Sequence, residues 1–391
     1  MARIRVGVVF GGRSGEHEVS VQSARSVLEA LDRTRFDAVP LAITADGRWI
    51  LAPNDSLVLP PRPDGGGQVA VLPGETKGLA FLGPGASPSR DAGGAEGLGT
   101  SPLDVVFPVL HGPGGEDGTI QGLLEMAGLP YVGAGVLGSA LGMDKAAQKD
   151  VLMRHGLSVL DYVLVQRHEW QQDPGGVAAR VLDAIGLPCF VKPANLGSSV
   201  GITKVKAEVD LSAALERAAR LDRRVICERA VDARELECGV LGNEKPDASV
   251  VGEIIPGNEF YDYAAKYTGD ASQLVIPAEV GPETTDWVRQ AALRAFSALD
   301  GAGMARVDFF LERTTGRLYV NEVNTIPGFT ATSMYPKLWA ATGLAYGDLL
   351  TVLIELALAR HEDRRRSWAE QAAAACSGHG SPVRPTVVRG D

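Results

Sequence analysis

No uninterrupted apolar run in this 391-residue chain approaches the length of a bilayer span, which excludes a transmembrane reading. The start, MARIRVGVVFGG, lacks the apolar segment and small-residue cleavage site of a signal peptide and runs directly into a strand-like stretch, so a cytoplasmic location is expected. Cysteine is scarce. Its four copies, Cys189, Cys227, Cys238 and Cys376, lie far apart with no CxxC pair, which argues against a zinc site or a disulfide framework and for buried thiols in a reducing compartment. Basic excess is absent too, with 38 Lys and Arg against 48 Asp and Glu for a net charge of -10, so no nucleic-acid-binding face is expected. The RRR of RHEDRRR reads as the end of a solvated helix. No G-x-x-x-x-G-K-[ST] occurs, and a P-loop NTPase is thereby excluded.

What remains is an ordinary soluble composition, 45 % hydrophobic and 22 % charged, in a chain too long for one core. IRVGVVF reads as a buried strand, followed by a glycine turn and the helical pattern VSVQSARSVLEAL. FDAVPLAI, LDVVFPVL and the helix-like GTIQGLLEMAG continue the alternation of a doubly wound α/β unit over residues 1–143. Within it, residues 61–101 are crowded with Gly, Pro, Ser and Asp around the short apolar VAVL, and read as a flexible surface insertion. A small α+β unit over 144–236 follows from DYVLVQ, GGVAARVLDAIG, PCFVKP, DLSAALERAARLD and RVICERA. A third unit, 237–368, ends in the packing helix GDLLTVLIELALAR, and 369–391 read as a disordered tail.

The segment RVDFFLERTTGRLYVNEVN carries the first chemical signal. With TTG as a three-residue loop and Gly316 left-handed, Arg313 pairs with Arg317, which sets Asp308 opposite Glu322 and Arg306 opposite Asn324 on one face of the hairpin. Opposed carboxylates repel, so a positive charge belongs between them. Two carboxylates and an amide, without Cys or His, suit a hard ion such as Mg2+ shared with phosphates. The simpler arrangement is Arg306 neutralising both acids.

Two segments compete as phosphate cradles. GAGVLG, residues 133–138, matches G-x-G-x-x-G but lacks a suitably spaced acid, and reads as tight helix packing. FVKPANLGSSVGI ends a strand at Lys192 and continues into Gly197, Ser198, Ser199 and Gly201, a donor-rich loop able to hold phosphate oxygens. By composition alone that loop is an ordinary turn, and Lys145 in GMDKAAQK an exposed helix lysine.

Together with ICERAVDARELECGV, these segments resemble the ATP-grasp superfamily and, within it, the D-alanine–D-alanine ligases. VVFGGRSGEHEVS, PVLHGPGGEDGTIQG, GMDKAAQK, FVKPANLGSSVG, EFYDYAAKY, RVDFF and NEVNTIPGFTATSM carry the likeness, in order, over nearly the whole chain outside 61–101 and the tail. The resemblance implies three domains, the first Rossmann-like, the central one an ATP-grasp lid and the third catalytic. It implies that ATP phosphorylates one D-alanine and a second attacks the acyl phosphate, as peptidoglycan precursor synthesis requires. Asp308, Glu322 and Asn324 would hold two Mg2+ ions, with Mn2+ as an alternative and a monovalent cation as an additional ion. Arg306 and the N–H of Gly328 would stabilise the oxyanion. Lys145, Lys192 and Lys266 would contact phosphates beneath the Ser198–Ser199 loop, with Glu228, Arg229 and Val231 at the adenine, Glu235 at the ribose and Phe310 completing the ATP site. Glu16 would hold the first ammonium, joined by Ser198 and Tyr267, with His111 nearby, while Ser333 and Met334 would receive the second carboxylate. Relatives also imply a homodimer.

Arg229 departs from the Lys or Gln of many relatives, which affects its side chain more than its backbone. The nearest rival product joins D-alanine to D-lactate, and Tyr267 favours the dipeptide. A non-catalytic nucleotide-binding regulator is disfavoured by the intact Asp308, Glu322, Asn324 and Arg306. A nicotinamide oxidoreductase would rest on GAGVLG alone.

Overall fold

The computed structural model describes residues 2–52, 68–71, 78–82, 99–256 and 272–377, and three sheets organise them. Strand β1 (Ile4–Gly11) has its last six residues buried, as a strand covered on both faces requires. It pairs in parallel with β2 (Phe36–Ile43) and β7 (Val105–Pro108), while α1 (His17–Ala30) packs on it, as the alternating pattern predicts. The same sheet then continues antiparallel through β3 (Trp49–Leu51), β4 (Gln68–Val71), β5 (Gly78–Leu82) and β6 (Gly99–Pro102), in the order β6-β5-β4-β3-β2-β1-β7. The 61–101 stretch therefore supplies strands to the first sheet rather than a mere surface insertion. Strands of four or five residues carry too little periodicity to outweigh the Gly and Pro around them.

The second sheet is antiparallel, with β10 (Thr203–Val205), β9 (Cys189–Pro193), β11 (Arg224–Arg229) and β8 (Tyr162–Gln166) in that spatial order. Helices α5 (Arg167–Gln172), α6 (Pro174–Ile185) and α7 (Glu208–Leu221) back it. In α7 Leu211, Ala214, Leu215 and Ala218 recur at helical spacing and bury against Val191 and Val225.

The third sheet runs β14 (Ser272–Val275), β13 (Asp247–Pro256), β12 (Ala233–Gly242), β15 (Gly303–Glu312) and β16 (Leu318–Asn324). Helix α8 (Pro282–Ala298) covers one face, where Val288, Ala292 and Phe296 meet Val307, Phe309 and Val320. Two expected boundaries shift. Residue 236 falls inside β12, and α4 (Lys145–Arg154) buries Leu152 in this third core, not in the central unit.

Helix α2 (Thr119–Met126) buries Ile120 and Leu124 in a core of the first sheet, and α3 (Val136–Met143) packs against α2 and against β16 of the third. The GAGVLG glycines serve close packing, as read. A Cβ at Gly138 would come within 2.6 Å of the Asp300 carbonyl oxygen. After α9 (Met334–Thr342), the last helix α10 (Tyr346–Ser377) buries Leu349, Leu350, Leu353 and Ile354 against Val6, Phe10 and Phe107. It continues through the arginine run, so residues 369–377 are helical rather than tail; Arg364 donates to Glu125 at 2.7 Å and Arg366 pairs with Asp363. No single helix among the described residues is long and apolar enough to cross a membrane. Cys189, Cys227 and Cys238 are buried free thiols.

The hairpin reaches its expected register by a different route. Glu312 N–H donates to Arg317 O and Gly316 N–H to Glu312 O, so the turn spans the four residues 313–316. Left there, the pairing would set Asn321 opposite Asp308 and send Glu322 to the other face. A bulge at Asn321 absorbs the extra residue and restores Asp308↔Glu322 and Arg306↔Asn324. Gly316 sits at φ +67° with open space around its Cα. Gly316→Ala is therefore expected to cost about 1–2 kcal/mol of backbone strain with no steric term, read as a lower denaturant midpoint at unchanged slope.

Candidate active site

Strand order brings a third acid to the hairpin. β12 lies beside β15 with Glu237 opposite Asp308 and Gly239 opposite Arg306, so Glu237, Asp308 and Glu322 stand at one level of three neighbouring strands. Arg306 answers them. Its Nε and Nη2 donate to the two Asp308 oxygens at 2.6 Å each, and Nε lies 2.9 Å from Glu237 Oε2. Asn324 Nδ2 donates to Asp308 Oδ2 at 2.9 Å. Burial alone would loosen the guanidinium proton, but Asp308 and Glu237 outweigh it and hold Arg306 well above its ordinary range. The hairpin alone does not reveal Glu237, because its part depends on which strand lies beside β15.

Among the described residues no three of His, Cys, Asp and Glu are grouped to enclose a metal. The two carboxylates and the amide of Asp308, Glu322 and Asn324 nonetheless fit a hard divalent ion, whose remaining ligands would be phosphates and water. Asp308 Oδ2 accepts from both Arg306 and Asn324, while Oδ1 accepts from Arg306.

A second charged cluster lies between the second and third sheets. Lys192 at the end of β9 and Lys149 in α4 reach the two oxygens of Glu228 at 2.5 Å each, and Lys149 also donates to Asn321 O at the bulge, 3.2 Å away. Burial would raise the Glu228 pKa, yet the two ammonium groups outweigh it and bring it down to about 2, while burial pushes Lys149 below its ordinary value. Lys149 is legible only in hindsight: it is one helical turn from Lys145, on the same face of α4. Lys145 is no exposed helix lysine. Its Nζ donates to Leu196 O at 2.7 Å and stands 3.8 Å from Glu322 Oε2, and Asp144 caps the helix by accepting from the N–H groups of Ala146 and Ala147.

The serine-glycine loop leans toward the first sheet. Ser198 and Ser199 take left-handed φ values of 48° and 60°, a strained state for residues with a Cβ, and Ser198 Oγ donates to the Glu16 carboxylate. Glu16 is buried and closely enclosed, since a Cβ at Gly197 would lie 2.9 Å from its Oε2 and one at Gly112 2.6 Å. His111, also buried, contacts Ile326 O through Nδ1 and Ser23 Oγ through Nε2, both at 3.1 Å. Burial lowers its pKa against the pull of Glu16. The ring is then neutral, with the proton on Nδ1 facing the Ile326 carbonyl and Nε2 accepting from Ser23.

The loop after β16 is anchored in the first core, where Ile326 and Phe329 are buried and Phe329 packs edge-on to Phe107 at 5.6 Å. That anchor sets Gly328 against Ser333, whose Oγ accepts from Thr330 N–H; a Cβ at Gly328 would stand 3.2 Å from this oxygen. Ser333 precedes α9 without a side-chain cap, and Met334 is buried beside Leu338 and Ile254. Further along the same strands, Glu235 faces Phe310 across β12 and β15. Arg229 turns to Asp161 at 3.4 Å and Glu312 at 3.7 Å, and Val231 lies in the link from β11 to β12. Lys266 and Tyr267 lie outside the described residues.

Residues 5–134 match the family description "D-ala D-ala ligase N-terminus" and residues 151–355 "D-ala D-ala ligase C-terminus". The chain belongs to the D-alanine–D-alanine ligase family. It is 49 % identical over 371 residues to the D-alanine–D-alanine ligase of Thermoanaerobacter sp. (strain X514), covering 94 % of this chain and all of that one. To the ligase of the same name from Heliobacterium modesticaldum it is 47 % identical, over 95 % of this chain and 99 % of the other. Its structure is similar to that of the D-alanine–D-alanine ligase from Coxiella burnetii, with a TM-score of 0.82 at 34 % identity over 96 % and 99 % of the two chains. It is also similar to the VanG D-Ala:D-Ser ligase from Enterococcus faecalis, with a TM-score of 0.78 at 35 % identity over 91 % and 100 %. Both structures carry the ATP-grasp fold, which is the fold of this chain.

Lys149→Met removes one of two cations from a buried carboxylate, a change that typically costs about 3–5 kcal/mol. The Glu228 pKa lies below the ordinary 4.5, so its contribution is complete above pH 4.5 and fades as pH falls toward about 2. Urea unfolding should show the variant less stable at pH 7, with the difference from the wild type shrinking at acid pH.

Proposed function

We propose that this chain joins two D-alanine molecules with ATP in two steps, using the two charged clusters in series. A carboxylate oxygen of the first D-alanine attacks the γ-phosphorus, the bond to the bridging oxygen breaks and ADP leaves with its electron pair. The amine of the second D-alanine then attacks the acyl carbon, a tetrahedral oxyanion forms, and the C–O bond to phosphate breaks as the peptide forms and the amine releases its protons. The dipeptide is the building unit that peptidoglycan precursor synthesis takes up.

In this reading Glu16 holds the ammonium of the first D-alanine, oriented by the Ser198 hydroxyl, with Tyr267 joining them and His111 closing that end as a neutral ring. Lys145, Lys192 and Lys266 meet phosphate oxygens, and the Ser198–Ser199 loop covers them. Glu228, Arg229 and Val231 line the adenine end, Glu235 the ribose and Phe310 the nucleotide face. Asp308, Glu322 and Asn324 hold two Mg2+ ions, or Mn2+ in their stead. A divalent ion bound there supplies charge to offset the phosphate oxygens. Arg306, fixed by Asp308 and Glu237, and the N–H of Gly328 face the oxyanion, the kind of preorganised donor pair this step needs. Ser333 and the backbone of Met334 receive the second carboxylate. The three sheets carry a substrate domain, a lid domain and a catalytic domain, the lid ending before Ala233.

The carrying observation is the Arg306 fork held between two carboxylates directly across from Asn324. The D-Ala:D-Ser neighbour at 35 % identity makes D-serine the competing second substrate, although relatives at 46–49 % identity bear the D-alanine name. Phosphate release from Mg-ATP separates these readings. With D-alanine alone it should proceed, and adding D-serine or D-lactate at neutral pH should add little. Release with L-alanine alone, or release that needs D-serine, would overturn the substrate assignment.

A further inference from the structure

Glu116, in the HGPGGED turn, has no role in the chemistry above, yet it spans two of the loops that carry it. Its Oε2 accepts from Gly112 N–H at 2.8 Å and its Oε1 from Ile326 N–H at 3.2 Å, 210 residues further along the chain. The other side of that residue is held as well, since Ile326 O accepts from His111 Nδ1 at 3.1 Å. One turn of the first domain thus grips both the N–H and the C=O of Ile326, two residues before Gly328. The turn itself is braced. Gly115 and Glu116 N–H donate to Gly112 O, Gly114 N–H to Asp117 Oδ2, and the buried Gln121 amide to Gly115 O at 2.8 Å. Gly112 holds φ +74°, which presses the turn against the Glu16 carboxylate.

We infer that Glu116 is a positioning residue for the ligation: by tying Gly112 to Ile326 it aims the Gly328 N–H at the oxyanion and sets His111 at the first D-alanine. Hydrophobic anchoring of Ile326 and Phe329 fixes the depth of the loop, but not the rotation of its peptide planes, and directional hydrogen bonds supply that. Burial, with Glu16 nearby, moves the Glu116 carboxyl up to about 8, against the pull of the Gly112 and Ile326 N–H groups.

This inference rests on the ligase reading and on Gly328 as an oxyanion donor. Glu116→Gln keeps one acceptor but turns an NH2 toward the other N–H, whereas Glu116→Ala removes both acceptors. Misplacing a reacting group by a fraction of an ångström to an ångström costs up to about 10²-fold. The kcat with D-alanine should therefore fall about tenfold in Glu116→Gln and further in Glu116→Ala, while KM for ATP stays within about twofold. Equal kcat in wild type and Glu116→Gln, or a KM for ATP that rises in step with the loss, would overturn the inference. If Glu116→Ala does not fold, the Gln variant still decides. A wild type that releases no phosphate with D-alanine would instead overturn the ligase reading itself.

Discussion

Three carboxylates at one level of three adjacent strands are a liability that the third sheet is built to carry. Glu237, Asp308 and Glu322 repel one another across β12, β15 and β16; Arg306, two residues along β15, meets the first two, and Lys145 stands 3.8 Å from the third. Opposed like charges weaken strand pairing by up to about 1 kcal/mol per pair, so the sheet depends on its other face. There Val307, Phe309, Val320 and Val323 bury with α8, at roughly 1.5–3 kcal/mol for each large side chain. One face keeps the strands together while the other holds the charge array.

The same logic governs how the sheets meet. A buried carboxylate, Glu228, is held ionised by two lysines from different elements, and one of these, Lys149, also grips the carbonyl of Asn321. Asn321 is the bulge residue that turns Glu322 toward Asp308. The end of β11 and the acidic hairpin are therefore joined through one side chain. At the other end, Ile326 and Phe329 plant the loop after β16 in the core of the first sheet, so residues from all three sheets converge without a long connecting loop.

Much of this was legible in residue order. The parallel strands β1, β2 and β7 and the helix α10 follow from apolar runs and leucine spacing, and the pairing of Asp308 with Glu322 from counting along the hairpin. That count agrees with the structure because a four-residue turn and a one-residue bulge offset each other. Periodicity could not disclose β4 to β6, whose strands are too short, nor the end of α10, where alanine and salt pairs sustain a helix that composition made look like tail. Glu237, Lys149 and Glu116 stayed hidden because their parts depend on long-range adjacency: β12 beside β15, α4 beside β11, and the 112–116 turn beside Ile326.

In the proposed reaction, divalent ions relieve the crowding of the acidic hairpin when nucleotide binds. Binding of Mn2+ in the presence of ADP, followed by the loss of the free-ion electron paramagnetic resonance signal, tests it most directly. Asp308→Asn and Glu322→Gln should each weaken retention of the ion by at least about tenfold while circular dichroism stays unchanged. Wild-type retention in both folded variants would contradict the account.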